Sequence, residues 1–262
     1  MLVNPHFSQG FVTRRVMADD PYAGFADLFD SEAGFPEIQD LYIQWRNHLK
    51  GALRQFQIPA RILVDLACGT GNSTIPWTKE KDWTVIGVDR SQPMLKEARK
   101  KSKHVHWVHQ DLRELHLDLK ADVATCHFDA INHILSAREL QKVFVRVAGI
   151  LNKGGLFQFD ISTDFFFRWL NGREKLFRVG KNYFMASNMY DAEKRIVTFH
   201  QLWFVRHGSV FKKREVRVQE AAYTQDQIRI MLKNAGFRIL KKFPTIRISG
   251  KTARLLYLVQ KL

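Results

Sequence analysis

The sequence predicts an α/β fold of the doubly wound type, with a seven-stranded, mostly parallel sheet and an inserted antiparallel β meander. Two observations lead to this fold class. From residue 58 to about residue 163, short apolar runs bounded by turn residues alternate with helical patterns, which is typical of right-handed β-α-β crossovers. From about 172 to 218, apolar and polar residues alternate instead, as they do in antiparallel strands.

The parallel part begins after a helix. Residues 36–56 carry apolar side chains at three-to-four-residue spacing, which predicts an amphipathic helix that packs on the core. Strands are then expected in the segments RILVDL, WTVIGVD, HVHWVHQD, DVATCHFD and GGLFQFD. Helices are expected from about Ser73, from about Pro93 and near 137–150.

The meander is expected in the segments NYFMASNMYD, RIVTFHQLWFVRHG and SVFKKREVRV, with turns at 191–194 and 207–208. After it, Thr224 and Gln227 fit a capping box that begins a helix, and Gly236 ends this helix. Strands near 237–243 and 254–260 complete the sheet.

Three parts of the chain follow from this order. An N-terminal lid and helix is predicted over 1–57, a nucleotide-type core over 58–163 and 219–262, and an antiparallel, substrate-side insertion over 164–218. The 262 residues favour one compact domain, since two full domains would need a longer chain.

Composition is that of a folded globular chain, with 45% hydrophobic and 26% charged residues. The chain has two cysteines, Cys68 and Cys126, and no long apolar run follows the arginine-bearing start. Neither a secretory signal nor a membrane span is therefore predicted, and a cytoplasmic location is expected.

The formal charge of +15 is unevenly placed. The first 40 residues hold seven acids against Arg14 and Arg15, whereas residues 161–218 hold twelve basic residues against five acids. Such a field would attract nucleic acid, acidic lipid or an anionic metabolite. Dispersed basic residues without an aromatic-plus-arginine module are more typical of a solvated surface, so nucleic acid is not the favoured partner. The insertion favours an anionic substrate.

The strongest functional signal is the glycine-rich turn DLACGTG, residues 65–71. A hydrophobic strand ends there in an acid and runs into the start of the next segment. Glycine permits positive φ and adds no side chain, so the backbone can approach a ligand closely. By itself such a turn fits NAD, FAD and S-adenosylmethionine equally well.

Charge separates these cofactors. A pyrophosphate at this turn would be repelled by Asp65, whereas S-adenosylmethionine carries an ammonium, a sulfonium and no phosphate. Thr74 also stands where the dinucleotide pattern needs a third glycine. Asp89 ends the second strand and can accept both ribose hydroxyls, and Asp111 ends the third and can accept from the adenine amino group. Three acids on successive strand ends favour S-adenosylmethionine, although each alone is more often a turn or cap residue.

With these motifs in place, the chain resembles the class I methyltransferases, and within them the small-molecule, YqeM-like type (the methyltransferase domain 25/11 group), which carries an antiparallel insertion on a Rossmann-like core. DLACGTGNST resembles the first motif of the family, GVDRSQPML its ribose-binding motif and HQDLREL its adenine-contacting segment. CHFDAINHIL resembles the family segment FDSLNYL, FQFDIST its fifth strand end and YAGFADLFD its lid motif YxxFAxxYD. Phe29 replaces the usual lid tyrosine and His133 a usual aromatic.

The resemblance implies a set of cofactor-binding residues. They are Tyr22, Phe25, Asp65, Ala67, Gly69, Gly71, Asp89, Arg90, Met94, Asp111, Leu112 and Phe128, of which the first two belong to the lid. The cofactor would be S-adenosylmethionine and the product S-adenosylhomocysteine.

Methyl transfer from a sulfonium is an in-line displacement, so alignment and exclusion of water can supply much of the rate. A general base is needed only if the acceptor must lose a proton. His133 and His127 are the candidates, although either could be a structural histidine. Candidate substrate contacts are Asp129, Asn132, His133, Asp160, Tyr190, His200, Trp203 and Arg206. For the meander residues among them, packing is the more common role.

No metal site is predicted, because His104 and His106 share one strand face while His109 lies on the other and no paired cysteines accompany them. The favoured function is methyl transfer to nitrogen or oxygen of a small molecule. One alternative is an RNA methyltransferase that uses the basic surface. The sequence argues against it, because no Asn-Pro-Pro-Tyr-type motif follows the fourth strand. Another is a regulatory protein that binds the cofactor without turnover.

Overall fold

The structure, a computed structural model, describes residues 20–33 and 36–262. Six helices are present in this part of the chain: α1 (Ala26–Ala33), α2 (Pro36–Gln55), α3 (Gln92–Lys101), α4 (Ala137–Ile150), α5 (Asp164–Leu170) and α6 (Gln225–Asn234). The strands are β1 (Ile62–Leu66), β2 (Thr84–Asp89), β3 (His106–His109), β4 (Ala121–Cys126), β5 (Leu151–Ser162), β6 (Glu174–Val179), β7 (Asn182–Asp191), β8 (Ile196–His207), β9 (Val210–Ala221), β10 (Phe237–Ile248) and β11 (Lys251–Lys261).

A seven-stranded sheet has the order β10-β11-β5-β4-β1-β2-β3. Strands β1 to β5 pair in parallel, while β11 pairs antiparallel with both β5 and β10. The predicted fold class is confirmed. Because β1, β2, β4 and β5 run in the same direction, their carboxyl ends lie at one edge of the sheet, where open α/β sheets bind ligands.

Apolar side chains cover both faces of this sheet. On one face, Phe144 of α4 packs against Phe157 and Phe159 of β5. On the other face, Leu49 and Leu53 of α2 belong to a cluster with Trp77 and the central strands. Burial of each such side chain stabilises the fold by about 1.5–3 kcal/mol, so the carboxyl edge rests on a rigid support.

The second sheet, with the order β6-β7-β8-β9, is the inserted meander. Its strand β6 (EKLFRV) was not predicted, because it is a mostly exposed edge strand without clean alternation. The helix predicted from about Ser73 is only a 3₁₀ turn, Ile75–Lys79, which Glu80 ends with an extended backbone. Trp77 and Trp83 stack across this short connection at 5.5 Å between ring centroids.

Helix α1 packs against the face of the meander that carries Phe184 and Trp203. Phe25 and Leu28 are buried there in a cluster with Phe184, Trp203 and other apolar residues, and Arg214 Nη1 donates to Asp27 Oδ1 at 2.7 Å. The division into lid, core and insertion stays a prediction, and residues 1–19 and 34–35 of the predicted lid part lie outside the described residues. No helix in the described ranges is long and apolar enough to cross a membrane.

Candidate active site

The glycine-rich turn follows β1 at the carboxyl edge of the sheet. Its backbone has positive φ at Ala67 (52°), Gly69 (54°) and Gly71 (84°), a conformation that glycine adopts without strain. A Cβ atom on Gly71 would lie 2.4 Å from Cη2 of Trp107. Both the backbone conformation and the neighbouring indole therefore require glycine at position 71.

Asp65 lies beneath this turn and is buried. Its Oδ1 accepts a hydrogen bond from Thr125 Oγ1 at 2.7 Å, and its Oδ2 accepts from Ser73 Oγ at 2.7 Å and Thr74 Oγ1 at 2.6 Å. The carboxylate thus joins β1 to β4 and to the segment after the turn. We interpret Asp65 as a residue that positions the turn and acts on a ligand through its charge.

Asp89 connects the end of β2 to the glycine-rich turn. Its Oδ2 accepts from the backbone N–H of Gly69 and its Oδ1 from that of Ser91, both at 2.7 Å. Burial raises the pKa of this carboxyl above its usual value. A carboxylate has about four lone-pair sites, so two remain for ribose hydroxyls. Met94 lies in the first turn of α3, where its N–H donates to the N-cap Ser91.

Asp111 lies at the far end of the edge and is engaged by Arg113. The guanidinium donates to Oδ1 at 2.9 Å and to Oδ2 at 2.6 Å. Burial works against ionisation, but these hydrogen bonds outweigh it and lower the pKa of Asp111. The next residue, Leu112, is buried, whereas Arg90 is exposed. An adenine amino group would therefore share Asp111 with Arg113.

Helix α1 covers the glycine-rich turn through Asp30. This carboxylate accepts from Thr70 Oγ1 at 2.5 Å, from Asn72 Nδ2 at 3.1 Å and from Lys101 Nζ at 2.8 Å. Asp20 accepts from Ser91 Oγ at 2.6 Å. The sequence does not single out Asp30 as a site residue, although Asp30 is the last residue of the YAGFADLFD segment.

The two predicted lid aromatics face different partners. The hydroxyl of Tyr22 lies 3.3 Å from Nε2 of His133, at the carboxyl edge. Phe25 is buried against Trp203, with 4.9 Å between ring centroids. Tyr22 is therefore placed at the site, whereas Phe25 attaches the lid to the meander.

The loop after β4 has an unusual backbone. Phe128 and Asp129 are consecutive residues with φ of 57° and 50°, a region that non-glycine residues rarely occupy and that is often found at functional sites. The ring of Phe128 packs on Tyr42 and Trp45 of α2, at 4.5 and 5.0 Å between centroids. The backbone N–H of Asp129 donates to Asp160 Oδ2 at 3.1 Å.

Arg254 of β11 binds the two carboxylates of this loop and of β5. Its Nη1 donates to Asp160 Oδ2 at 2.5 Å and its Nη2 donates to Asp129 Oδ2. Burial disfavours the charge of this guanidinium, but the attraction of Asp129 and Asp160 raises the pKa of Arg254. Asp160 was predicted as a substrate contact, yet its side chain is fully buried. We interpret it as a partner that orients Arg254 and Asp129.

His133 lies at the same edge, beside a buried acid of β9. Its Nε2 is 3.7 Å from Oε1 of Glu220, and its ring also hydrogen-bonds the backbone of Gln219. Burial lowers the pKa of His133. Burial, together with the negative charge of Asp129, raises the pKa of Glu220 well above its usual value. Burial therefore favours the neutral form of the His133 imidazole.

The other predicted base, His127, is held by Gln158. Its Nε2 lies 3.0 Å from Gln158 Oε1, while Gln158 Nε2 donates to the carbonyl of Trp45. The ring of His127 therefore donates from Nε2, and its buried Nδ1 is an acceptor without a hydrogen-bond partner in the described ranges. His127 lines a cavity of about 110 Å³ between α2 and the glycine-rich turn, together with Arg46 and Asn72.

Asn132 was predicted to touch the substrate, and the structure places it elsewhere. Its Nδ2 donates to the carbonyls of Ser162 and Ala221 at 3.0 and 2.9 Å, and its Oδ1 accepts from the N–H of Ser162 at 3.0 Å. The amide is fully buried and joins the end of β5 to the end of β9. It therefore shapes the edge without facing it.

The four predicted contacts in the meander do not come together at the carboxyl edge. Tyr190 donates to Asp164 Oδ1 at 2.6 Å, and Trp203 is fully buried in the packing against Phe25. His200 and Arg206 lie on the opposite face of β8 from Trp203, because successive side chains of a strand alternate. We leave all four out of the acceptor site.

Comparison with known proteins gives a consistent result. Residues 63–155 match the family described as "Methyltransferase domain". The chain is similar to the YqeM protein of Bacillus subtilis (strain 168), which carries a methyltransferase name, with 25% identity over 248 residues, 92% of this chain and 97% of that protein. It is also similar to the dTDP-3-amino-3,6-dideoxy-alpha-D-glucopyranose N,N-dimethyltransferase of Streptomyces fradiae, with 31% identity over 100 residues, 38% of this chain and 39% of that one.

Among solved structures, the chain resembles an S-adenosylmethionine-dependent methyltransferase from Clostridium acetobutylicum ATCC 824. The TM-score is 0.79 at 27% identity, and the match covers 92% of this chain and 99% of that one. The similarity therefore extends over most of this chain.

Proposed function

We propose that this chain, a class I S-adenosylmethionine-dependent methyltransferase of the YqeM-like type, methylates nitrogen or oxygen of a small molecule. This proposal rests on the position of helix α1, which covers the carboxyl edge of the sheet. Helix α1 is attached to the glycine-rich turn through Asp30 and to the meander through Leu28 and the preceding Phe25. A small acceptor can be enclosed under this cover, and enclosure excludes water from the reaction. The acceptor named for the Streptomyces fradiae relative, a dTDP-linked amino sugar, is consistent with this size class.

The side chains at the edge fit the cofactor. When bound, S-adenosylmethionine supplies an electrophilic methyl group on a sulfonium. Gly69 and Gly71 allow the backbone to approach it, and Asp89 retains lone pairs for the ribose. Tyr22 orients His133 from the lid side. His133, whose neutral form is favoured by burial, would accept a proton from the acceptor when the reacting group needs to lose one.

The cavity between α2 and the glycine-rich turn would hold the amino-acid end of the cofactor. Arg46 supplies donors for a carboxylate there. The Nδ1 of His127, which has no hydrogen-bond partner among the residues that the structure describes, supplies an acceptor for an ammonium. This gives His127 a binding role, and it leaves His133 as the candidate base. The sequence does not single out Arg46 as a site residue, because only the position of α2 brings it beside the glycine-rich turn.

Replacing Arg46 by methionine should weaken the binding of S-adenosylhomocysteine roughly 10- to 100-fold, the worth of about one charge-assisted hydrogen-bonded pair. Binding of 5′-methylthioadenosine, which lacks the amino-acid end, should not change. Titration calorimetry measures the affinity of the protein for each of the two ligands. The exposed Arg54, on the same helix, serves as the control in Arg54→Met. Equal weakening of both ligands by Arg46→Met would contradict this placement.

A methyl-incorporation assay tests the proposed function. Purified protein is incubated with methyl-labelled S-adenosylmethionine and either RNA or small molecules that bear amines, hydroxyls or carboxylates. We expect label in a small molecule with an amine or hydroxyl group. The carboxylate-bearing members test whether the basic meander, with exposed Lys212 and Lys213, favours an anionic acceptor. Label in RNA alone would establish the RNA alternative. Tight S-adenosylhomocysteine binding without transfer to any acceptor would support a regulatory protein.

A further inference from the structure

We infer that Glu220 and His133 form a subsite for a cationic nitrogen, so that the methyl acceptor is an amine. This inference rests on the proposed function and narrows its acceptor. At the carboxyl edge, buried acidic groups outnumber the basic groups beside them. Three carboxyl groups, those of Asp129, Asp160 and Glu220, surround one guanidinium, that of Arg254.

Arg254 is already used by two of these acids. Its two terminal nitrogens donate to Asp160 and Asp129, so Arg254 acts on Glu220 through its charge alone. Glu220 is only 5% exposed, and its Oε2 is buried without a hydrogen-bond partner among the described residues. A buried carboxyl oxygen without a hydrogen-bond partner costs folding free energy. Its presence is therefore explained by a ligand and not by the stability of the fold.

The strand that carries Glu220 makes this placement informative. Glu220 lies on β9 directly across from the buried Val197 of β8. An apolar side chain would satisfy such a position. Instead, the sequence places an acid there that points to the imidazole of His133, 3.7 Å away.

Strand β9 also contacts the ring of His133 through the backbone of Gln219. The Nε2 atom of this ring faces both the hydroxyl of Tyr22 and Oε1 of Glu220. A lone pair and a carboxylate thus converge on the same space, which suits a group that arrives with a positive charge and a proton to give up.

The chemistry of an amine uses both groups. A protonated amine donates to Glu220 and transfers one proton to Nε2 of His133. The freed nitrogen lone pair then forms the new N–C bond while the S–C bond breaks, and the bonding electrons remain on sulfur. The product is the N-methylated ammonium, and Glu220 stabilises the imidazolium until its proton passes to water. Asp129, Asp160, Arg254, Arg90 and Tyr22 are the other charged or titratable groups that act on this pair.

Sinefungin tests the subsite without knowledge of the acceptor, because it carries an amino group where S-adenosylmethionine carries the transferred methyl. Wild-type protein should bind sinefungin at least about tenfold more tightly than S-adenosylhomocysteine. Glu220→Gln should lower this ratio by roughly tenfold and leave S-adenosylhomocysteine affinity within about twofold. Glu215→Gln, on the solvent face of the same strand, is the matched control and should leave the ratio unchanged.

An unchanged ratio in Glu220→Gln would overturn the inference while the proposed function stands. Failure of wild-type protein to bind S-adenosylhomocysteine would instead overturn both. Ligating atoms of Asp129, His133 and Glu220 lie within 4.8 Å of one another. Thermal stabilisation by Mg²⁺ or Mn²⁺ that is lost in Glu220→Gln would assign the cluster to a metal ion and overturn the nitrogen subsite.

Thermal unfolding separates this role from a structural one. The pKa of Glu220 is raised in the folded protein, so the carboxyl favours the folded state only below its ordinary pKa and disfavours it as the pH rises toward the folded pKa and beyond. Glu220→Gln should therefore unfold at the same or a higher temperature than wild type at pH 8, and the difference should shrink at pH 5. A lower unfolding temperature at pH 8 would show that Glu220 is retained for stability and would overturn the inference.

Discussion

Replacing Arg254 by methionine is expected to destabilise the fold by about 3–5 kcal/mol, the usual cost of removing one partner from a buried ion pair. Arg254 is buried between Asp160 and Asp129 and donates to both carboxylates. Methionine fills much of the same volume but leaves two acids without their cation. For a protein of this size, the loss corresponds to a fall of roughly 6–20 °C in Tm.

Urea denaturation of the variant at several pH values measures this effect. The pKa of Asp160 is raised by burial even with Arg254 present, so acidic pH can neutralise the acids that the variant leaves unpaired. The destabilisation should therefore be largest at pH 7–8 and decrease toward pH 4. Arg247, exposed on β10, gives the control Arg247→Met, for which a change within about 0.5 kcal/mol is expected. Equal effects of the two substitutions would show that the Arg254 pairs do not stabilise the fold.

Arg254 also shows where inference from sequence stops. The run TARLLYL predicts a buried strand by its apolar residues, and the structure confirms a strand there. The run contains no signal for which strand lies beside it. Only the pairing of Arg254 with Ser162 of β5 brings the guanidinium to Asp160, two residues away along that strand. A contact between residues far apart in the chain depends on topology, which local patterns do not contain.

The glycine-rich turn was predictable for the opposite reason. Its requirements are local: positive φ at Gly69 and Gly71, and an acid at each strand end. The meander was predicted as a set of strands for the same reason, because alternation of apolar residues is local. Which of its faces meets the lid is not, and for this reason His200 and Arg206 were expected at the site although they lie on the far face from Trp203.

Glu220 was missed because an acid at the end of an exposed, basic strand looks like an ordinary surface residue. The sequence of β9, VFKKREVRVQEA, contains another glutamate, Glu215, which is indeed exposed and pairs with Arg217 and His200. Strand parity places the two acids on opposite faces. Which face is buried is decided by α1 and the loop after β4, neither of which adjoins β9 in the sequence.

Replacing Asp89 by alanine is expected to weaken S-adenosylhomocysteine binding at least about 100-fold. It is also expected to lower the stability of the protein without ligand. The carboxylate would accept the ribose hydroxyls, and it also accepts from the backbone N–H groups of Gly69 and Ser91. Alanine therefore removes the ligand contacts, which together contribute about 3 kcal/mol or more to binding. It also removes the hydrogen bonds that connect the glycine-rich turn to the end of β2. Titration calorimetry measures the first effect and thermal unfolding the second.

Two further variants separate these contributions. Asp89→Asn keeps one acceptor oxygen and should retain more of the stability than of the affinity, because a neutral amide forms weaker hydrogen bonds to hydroxyls than a carboxylate does. Asp111→Ala should weaken binding far less, since Arg113 already occupies much of that carboxylate. If Asp89→Ala folds normally and binds S-adenosylhomocysteine as wild type does, the ribose does not lie at the end of β2. The cofactor would then have to approach the glycine-rich turn from the α2 side alone, where the cavity beside Arg46 is too small at about 110 Å³ to hold a whole nucleoside.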